Sequence, residues 1–134
     1  MSSDQALEVP RLPVLTLKHH IRVSSIAFSP DSKTLATCDF RVIRLTEIDT
    51  GRPLRVMRQH TGPMQFTPDG QSLVTGTPGG EVVVLGLPTL VTDRVLKIRE
   101  SSVPAIAVSP DSTRVATWSD KKTLEVLNLK TGDR

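Results

Sequence analysis

The sequence has 134 residues, with 17 basic and 14 acidic side chains and a formal net charge of +3. This length supports one domain with a modest core. Scattered basic residues and few aromatic side chains, three Phe, one Trp and no Tyr, argue against a nucleic-acid-binding surface. A single cysteine excludes an internal disulfide, and no apolar run approaches the about 20 residues of a membrane-spanning helix, so we expect a cytoplasmic protein without a membrane partner.

After a short N-terminal segment, the chain repeats one pattern three times. Residues 1–12 have no apolar core of signal-peptide length, and we expect them to be flexible. The copies are IAFSPDSKTLAT at 26–37, MQFTPDGQSLVT at 64–75 and IAVSPDSTRVAT at 106–117. Their prolines lie at positions 30, 68 and 110, which are 38 and 42 residues apart. A period of about 40 residues is typical of repeat architectures.

Each copy predicts two strands joined by a turn, with further strands after them. Apolar residues alternate with small or polar ones before the turn, which indicates a strand. Proline then fixes φ, and the following Asp can accept a hydrogen bond from the backbone two residues on. The second strands are predicted at 34–37, 72–76 and 114–118, the third at 41–48, 81–88 and 123–130, and the fourth at 52–59 and 93–100. Four short strands in about 40 residues are the pattern of a β-propeller blade.

The repeats resemble those of the WD-repeat β-propeller family over residues 15 to 134. In the first repeat the family's histidine, apolar positions and Ser-Pro-Asp turn are matched by His19, Val23, Ile26, Phe28 and residues 29–31. In the other repeats, LVTGTPGGEVVVLG (73–86) and VATWSDKKTLEVLN (115–128) have the family's length. The repeats are degenerate, because Leu45-Thr46, Leu85-Gly86 and Leu127-Asn128 stand where the family has Trp-Asp. The resemblance implies a hydrogen-bonded network of His19, Thr37 and Asp39.

The resemblance implies an all-β fold, a partial β-propeller of three four-stranded WD-like blades in residues 13–134. The repeats span approximately 15–57, 58–98 and 99–134. In this family a sequence unit supplies the outer strand of one blade and the inner three strands of the next, so PVLTLKH (13–19) is predicted as an outer strand. The last repeat has three inner strands and a turn. Two outcomes stay open, a larger propeller or two copies that associate into a six-bladed ring.

No catalytic, cofactor-binding or metal site is predicted, and no cofactor. The spacing of His19, His20 and His60 matches no compact metal-ligand motif. Asp31, Asp69 and Asp111 recur at one turn position, which turn chemistry explains. The stretch TPGGE (77–81) is a hairpin between strands, without the helix of a phosphate-binding loop. We expect Cys38 to be a buried or half-buried thiol without a histidine to activate it.

The predicted function is a non-catalytic protein–protein interaction scaffold, with partners of unknown identity and a possible homo-oligomer that completes the propeller. The expected binding surface is the rim of loops, with the hairpins near Phe40 and Gly79 and the entry segments near His19 and His60. Basic residues of the outer strands are interpreted as solvated edge charges: Arg52, Arg55, Arg58, Arg94, Lys97 and Arg99. The alternative is an accessory or substrate-binding portion of a propeller-containing enzyme whose catalytic residues lie outside this chain.

Overall fold

The computed structural model describes residues 15–19, 22–39, 41–58, 62–98, 102–118 and 122–132. Regular structure in these residues is entirely β, as predicted. The strands are β1 (Ser25–Phe28), β2 (Thr34–Cys38), β3 (Val42–Glu47), β4 (Pro53–Arg58), β5 (Met64–Phe66), β6 (Ser72–Gly76), β7 (Glu81–Gly86), β8 (Val91–Lys97), β9 (Ala105–Val108), β10 (Arg114–Trp118) and β11 (Leu124–Asn128). Within the described ranges, no helix is long and apolar enough to cross a membrane.

The strands form three antiparallel sheets, each a meander in chain order. Sheet 1 contains β1 to β4, sheet 2 contains β5 to β8, and sheet 3 contains β9 to β11. Four-stranded blades are thus confirmed for the first two repeats. In the third repeat the described residues supply the three predicted inner strands, so a fourth strand of that blade is not among them.

The Ser/Thr-Pro-Asp turns between the first two strands of each sheet have one shared geometry. In each, the residue after Asp donates its N–H to the carbonyl oxygen of the Ser or Thr three positions earlier, at 2.9 Å. That residue has positive φ in all three repeats: 62° at Ser32, 74° at Gly70 and 65° at Ser112. The repeated sequence motif therefore folds into a repeated turn, which fixes the register of the hairpins.

The sheets stack face to face, with their first strands in contact. Strand β5 lies against both β1 and β9, so sheet 2 is the middle sheet. One apolar cluster lies between sheets 1 and 2 and a second between sheets 2 and 3. Neighbouring side chains of β7 belong to different clusters, since Val83 and Leu85 pack toward sheet 1 and Val82 and Val84 toward sheet 3. Burial of both faces of β7 explains the continuous apolar run VVVL within its sequence EVVVLG.

The outer strand predicted at 13–19 stays a prediction, because the blade with which it would pair is not among the described residues. Residues 15–19 have no strand structure. Leu15, Leu17 and His19 instead border a cavity over one face of sheet 1. A strand requires a hydrogen-bonded neighbour along its edge, and this segment crosses a face. The predictions for residues 1–12, His20, Phe40, His60 and Arg99 concern positions outside the described residues.

Candidate interaction surfaces

The recurring aspartates hold the turns in which they lie. The Oδ1 atom of Asp111 accepts hydrogen bonds from the Ser109 hydroxyl at 2.6 Å, the Thr113 hydroxyl at 2.7 Å and the Thr113 N–H at 3.0 Å. These donors, the Ser109 hydroxyl first, lower the pKa of Asp111 to about 2. The equivalent bonds from Ser29 and Thr67 also lower the pKa values of Asp31 and Asp69. These carboxylates are therefore ionised and bound to their own turns near neutral pH.

His19 is brought to sheet 1 as the resemblance implies. Its Nε2 atom lies 3.0 Å from Oγ1 of Thr37, a buried residue of β2. Asp39 has a different role from the implied network, because its Oδ1 accepts from the N–H groups of Arg41 at 3.2 Å and Val42 at 3.0 Å. These bonds close the hairpin between β2 and β3.

Two other sequence features that were considered as possible sites, residues 77–81 and Cys38, belong to a hairpin and to an apolar cluster. Residues 77–81 form the predicted hairpin, in which the Thr77 hydroxyl accepts the Glu81 N–H at 3.1 Å. Cys38 is buried in the cluster between sheets 1 and 2. The part of the chain that the structure describes brings no three metal-ligating side chains together.

Those basic residues of the outer strands that the structure describes are exposed, in agreement with their interpretation as edge charges. Arg55 and Arg58 lie on β4, and Arg94 and Lys97 on β8. Arg55 also joins two sheets, since its Nε donates to the Thr89 carbonyl oxygen at 3.0 Å.

Each sheet has two faces, which recur by register from repeat to repeat. We call the face toward the next sheet in the chain the forward face. In sheet 1 it contains Ala36, Cys38, Ile43 and Leu45, in sheet 2 Val74, Gly76, Val82 and Val84, and in sheet 3 Ala116, Trp118, Leu124 and Val126. The opposite, backward face contains Ile26 and Phe28 in sheet 1, Met64 and Phe66 in sheet 2, and Ile106 and Val108 in sheet 3.

The two outermost of these faces are apolar, and no other described sheet covers them. Phe28 on the backward face of sheet 1 is 68% exposed, whereas Phe66 at the equivalent position in sheet 2 is 5% exposed. On the forward face of sheet 3, Leu124 is 67% exposed, whereas Ile43 at the equivalent position in sheet 1 is fully buried. The residues suit burial against another sheet at both ends of the stack. These positions did not reveal the difference in the sequence, because Phe28 and Phe66 are identical and Leu124 and Ile43 are both aliphatic.

A cavity of about 660 Å³ lies over the backward face of sheet 1. Its walls are mainly apolar, with Val23, Ile26, Phe28 and Leu35 on the sheet side and the segment 15–19 across them. A second groove, of about 480 Å³, runs between sheets 1 and 2 beside the turns of Asp31 and Asp69. The first cavity is part of an uncovered end face, and the second is part of the rim of loops.

Three stacked antiparallel meanders with adjoining first strands define the chain as a segment of a β-propeller. The family model for "WD domain, G-beta repeat" matches residues 11–42. The solved structure "Crystal structure of RRP9 WD40 repeats" superposes with a TM-score of 0.81 at 15% identity, over 87% of this chain and 38% of that chain. These matches confirm the resemblance to the WD-repeat family, and the solved structure shows the same fold.

Two curated relatives are similar to this chain in sequence, and the name of the first includes WD repeats. WD repeat-containing protein sll1491 of Synechocystis sp. is 34% identical over 89 residues, which are 59% of this chain and 26% of the relative. Meiotic recombination protein rec14 of Schizosaccharomyces pombe is 25% identical over 127 residues, 87% of this chain and 40% of the relative. The chain thus spans well under half the length of these relatives. Repeats of this class generally serve as non-enzymatic scaffolds for protein interaction.

Proposed function

We propose that this chain is a non-catalytic protein-interaction scaffold, and that its sheets form part of a larger or oligomer-completed propeller in the cytoplasm. The observation that supports the proposal is the exposure of apolar side chains on the two end faces, at positions that are buried between the other sheets. A sheet face of this kind buries its side chains against another protein surface, since side chains of two packed sheets interdigitate. The turn aspartates contribute rigidity to the scaffold.

Quantitative capture tests the proposal. The immobilised chain is incubated with cell extract, and bound proteins are identified by mass spectrometry. Phe28→Thr and Leu124→Thr each remove apolar area from one end face and keep a residue suited to a strand. We expect at least one partner of the wild type to be lost with one of these variants and kept with Thr92→Ser, a control on the exposed outer strand β8. Equal capture by all four proteins would contradict the proposal.

The salt dependence of capture separates this function from nucleic-acid binding. Binding through apolar faces should change little as salt increases, because it releases few counterions. Binding to nucleic acid would weaken steeply, since each phosphate contact releases a counterion. A steep loss of capture with increasing salt, together with loss of the captured partners after nuclease treatment, would favour nucleic-acid binding over the scaffold function.

A further inference from the structure

The forward face of sheet 3 carries a large aromatic residue at a position where sheet 2 has no side chain. Trp118 pairs with Leu124 as Gly76 pairs with Val82, and both end the second strand of their sheet. In sheet 2 the adjoining space is filled by Val103, because a Cβ built on Gly76 would lie only 2.8 Å from its Cγ1. Trp118 is 42% exposed, so its own space on the forward side is open.

In the first repeat, the residue equivalent to Val103 is Val23, which lines a cavity. Val23 and Val103 each lie two residues before the first strand of their sheet and seven before the turn proline. Val103 is buried against Gly76, but Val23 lines the cavity of about 660 Å³ over the backward face of sheet 1. Gly76 and Val103 are in close contact between sheets 2 and 3. At the two ends of the stack, the residue equivalent to Gly76 is the half-exposed Trp118, and the residue equivalent to Val103 is Val23 in the wall of a cavity.

We propose that a second copy of this chain binds head to tail, with Trp118 of one copy inserted beside Val23 of the other. The contact continues an interface already present twice in the chain, forward face of one sheet on backward face of the next. Arg44, which pairs in register with Thr37 on the backward face of sheet 1, offers a guanidinium to the inserted ring. This inference deepens the proposed function, because it names one protein that the scaffold binds.

Two copies of the chain can form the head-to-tail contact twice, once in each direction. The described residues of each copy offer one free forward face and one free backward face, and the three described sheets of two copies make six. Six lies within the roughly four to eight blades of closed propellers. A heterologous contact that closes in this way gives a discrete dimer, whereas one that does not close gives longer assemblies.

The intrinsic fluorescence of the wild-type chain reports the contact directly. Trp118 is the only Trp and the chain has no Tyr, so its emission is free of other contributions. Between about 0.1 and about 100 µM we expect the emission maximum to shift to shorter wavelength and acrylamide quenching to fall. Sedimentation velocity over the same range should show the mass doubling with the same midpoint.

Two variants test the two sides of the contact. Trp118→Ala removes the inserted ring, and Val23→Asp places a charge in the cavity. Each should weaken self-association by at least about tenfold, as expected for the centre of an interface. The control Val91→Ser changes an exposed apolar residue on outer strand β8 and should leave association unchanged. Circular dichroism and urea unfolding verify that each variant is folded.

Three results would overturn the proposal. A wild-type chain that stays monomeric with constant emission over the whole range has no such contact. Association with unchanged emission places the contact away from Trp118, as does association that persists in both folded variants. In each case, loss of a captured partner in Phe28→Thr or Leu124→Thr would leave the scaffold function standing, so the two failures are distinguishable.

Discussion

The Nε2 atom of His19 lies 3.0 Å from Oγ1 of Thr37 and thereby anchors residues 15–19 to the second strand of sheet 1. Thr37 is buried, and His19 belongs to the wall of the cavity over the backward face. Leu15 lies on the same segment, with its Cδ1 3.2 Å from the position of a Cβ on Gly51. The hydrogen bond of His19 and the apolar contact of Leu15 therefore hold the segment against sheet 1.

His19→Ala should lower the free energy of unfolding by about 1 kcal/mol, because it removes the hydrogen bond and leaves the Thr37 hydroxyl without that partner. Urea unfolding measures the change. Thr37→Val and the double variant complete a mutant cycle, in which we expect a coupling energy of about 0.5 kcal/mol or more. Additive effects of the two substitutions would show that the contact contributes nothing to stability.

Gly76→Ala should destabilise the fold by about 1–3 kcal/mol, the usual cost of overpacking. Its added Cβ would lie 2.8 Å from Cγ1 and 2.9 Å from the carbonyl oxygen of Val103, and backbone yields little. Gly79→Ala is the matched control, since the nearest of the atoms that its Cβ meets lies 3.8 Å away. Thermal or urea unfolding distinguishes them, and equal stability of the two variants would refute the close contact.

Gly70→Ala should cost about 1 kcal/mol through the backbone alone. Gly70 has a φ of 74°, and a Cβ there would meet nothing within 4 Å, so crowding plays no part. Ser32 occupies the equivalent position with a φ of 62°, and Ser32→Gly should raise stability by up to about 1 kcal/mol. In urea unfolding we expect the free energy of unfolding to fall in Gly70→Ala and to rise in Ser32→Gly. Equal decreases in both variants would contradict this expectation.

The turn carboxylates should make the fold sensitive to acid. The pKa of folded Asp111 is lowered to about 2 from 3.8, chiefly by the Ser109 hydroxyl. A carboxyl with a depressed pKa stabilises the fold above its unfolded value, and this stabilisation is lost as pH falls through the folded value. The urea midpoint of the wild type should therefore decrease from about pH 5 to about pH 2.

Asp111→Asn should unfold at lower urea than the wild type at neutral pH, and the difference should shrink as pH falls through about 2, where the Asp111 carboxylate of the folded wild type takes up its proton. Ser109→Ala should act in the same direction, because it removes the main donor to the carboxylate. Thr92→Ser on the outer strand serves as the neutral control. A wild-type advantage that does not change with pH would assign the effect to side-chain shape instead of charge.

Much of the fold was predictable because the repeated motif encodes local structure. Proline and Asp fix the turn, and the strands beside it follow from apolar alternation; predicted 72–76 and 114–118 coincide with β6 and β10. The outer strand predicted at 13–19 from the family resemblance stays untested, since the described residues include no sheet with which residues 15–19 could pair. Whether such a segment pairs along an edge or crosses a face depends on tertiary contacts.

The interaction surfaces were less predictable, since exposure of a face depends on the number of sheets beside it. Phe28 and Phe66 occupy one motif position and differ in exposure only because sheet 2 has a neighbour on that side. The expected binding loops near Phe40 and His60 lie outside the described residues, and the end faces were not expected. Alignment of Trp118 with Gly76 and Cys38 is the one sequence signal that could have indicated them.

Burial of sheet 2 on both faces also sets how the molecule opens. Unfolding of this sheet disrupts both apolar clusters at once, whereas detachment of sheet 1 or of sheet 3 disrupts only one of the two clusters. In a linear array with nearest-neighbour coupling, the ends fray and the middle is most protected. Amide hydrogens of β6 and β7 should accordingly exchange last. A ring would have no ends, so its closure would make protection equal around all sheets.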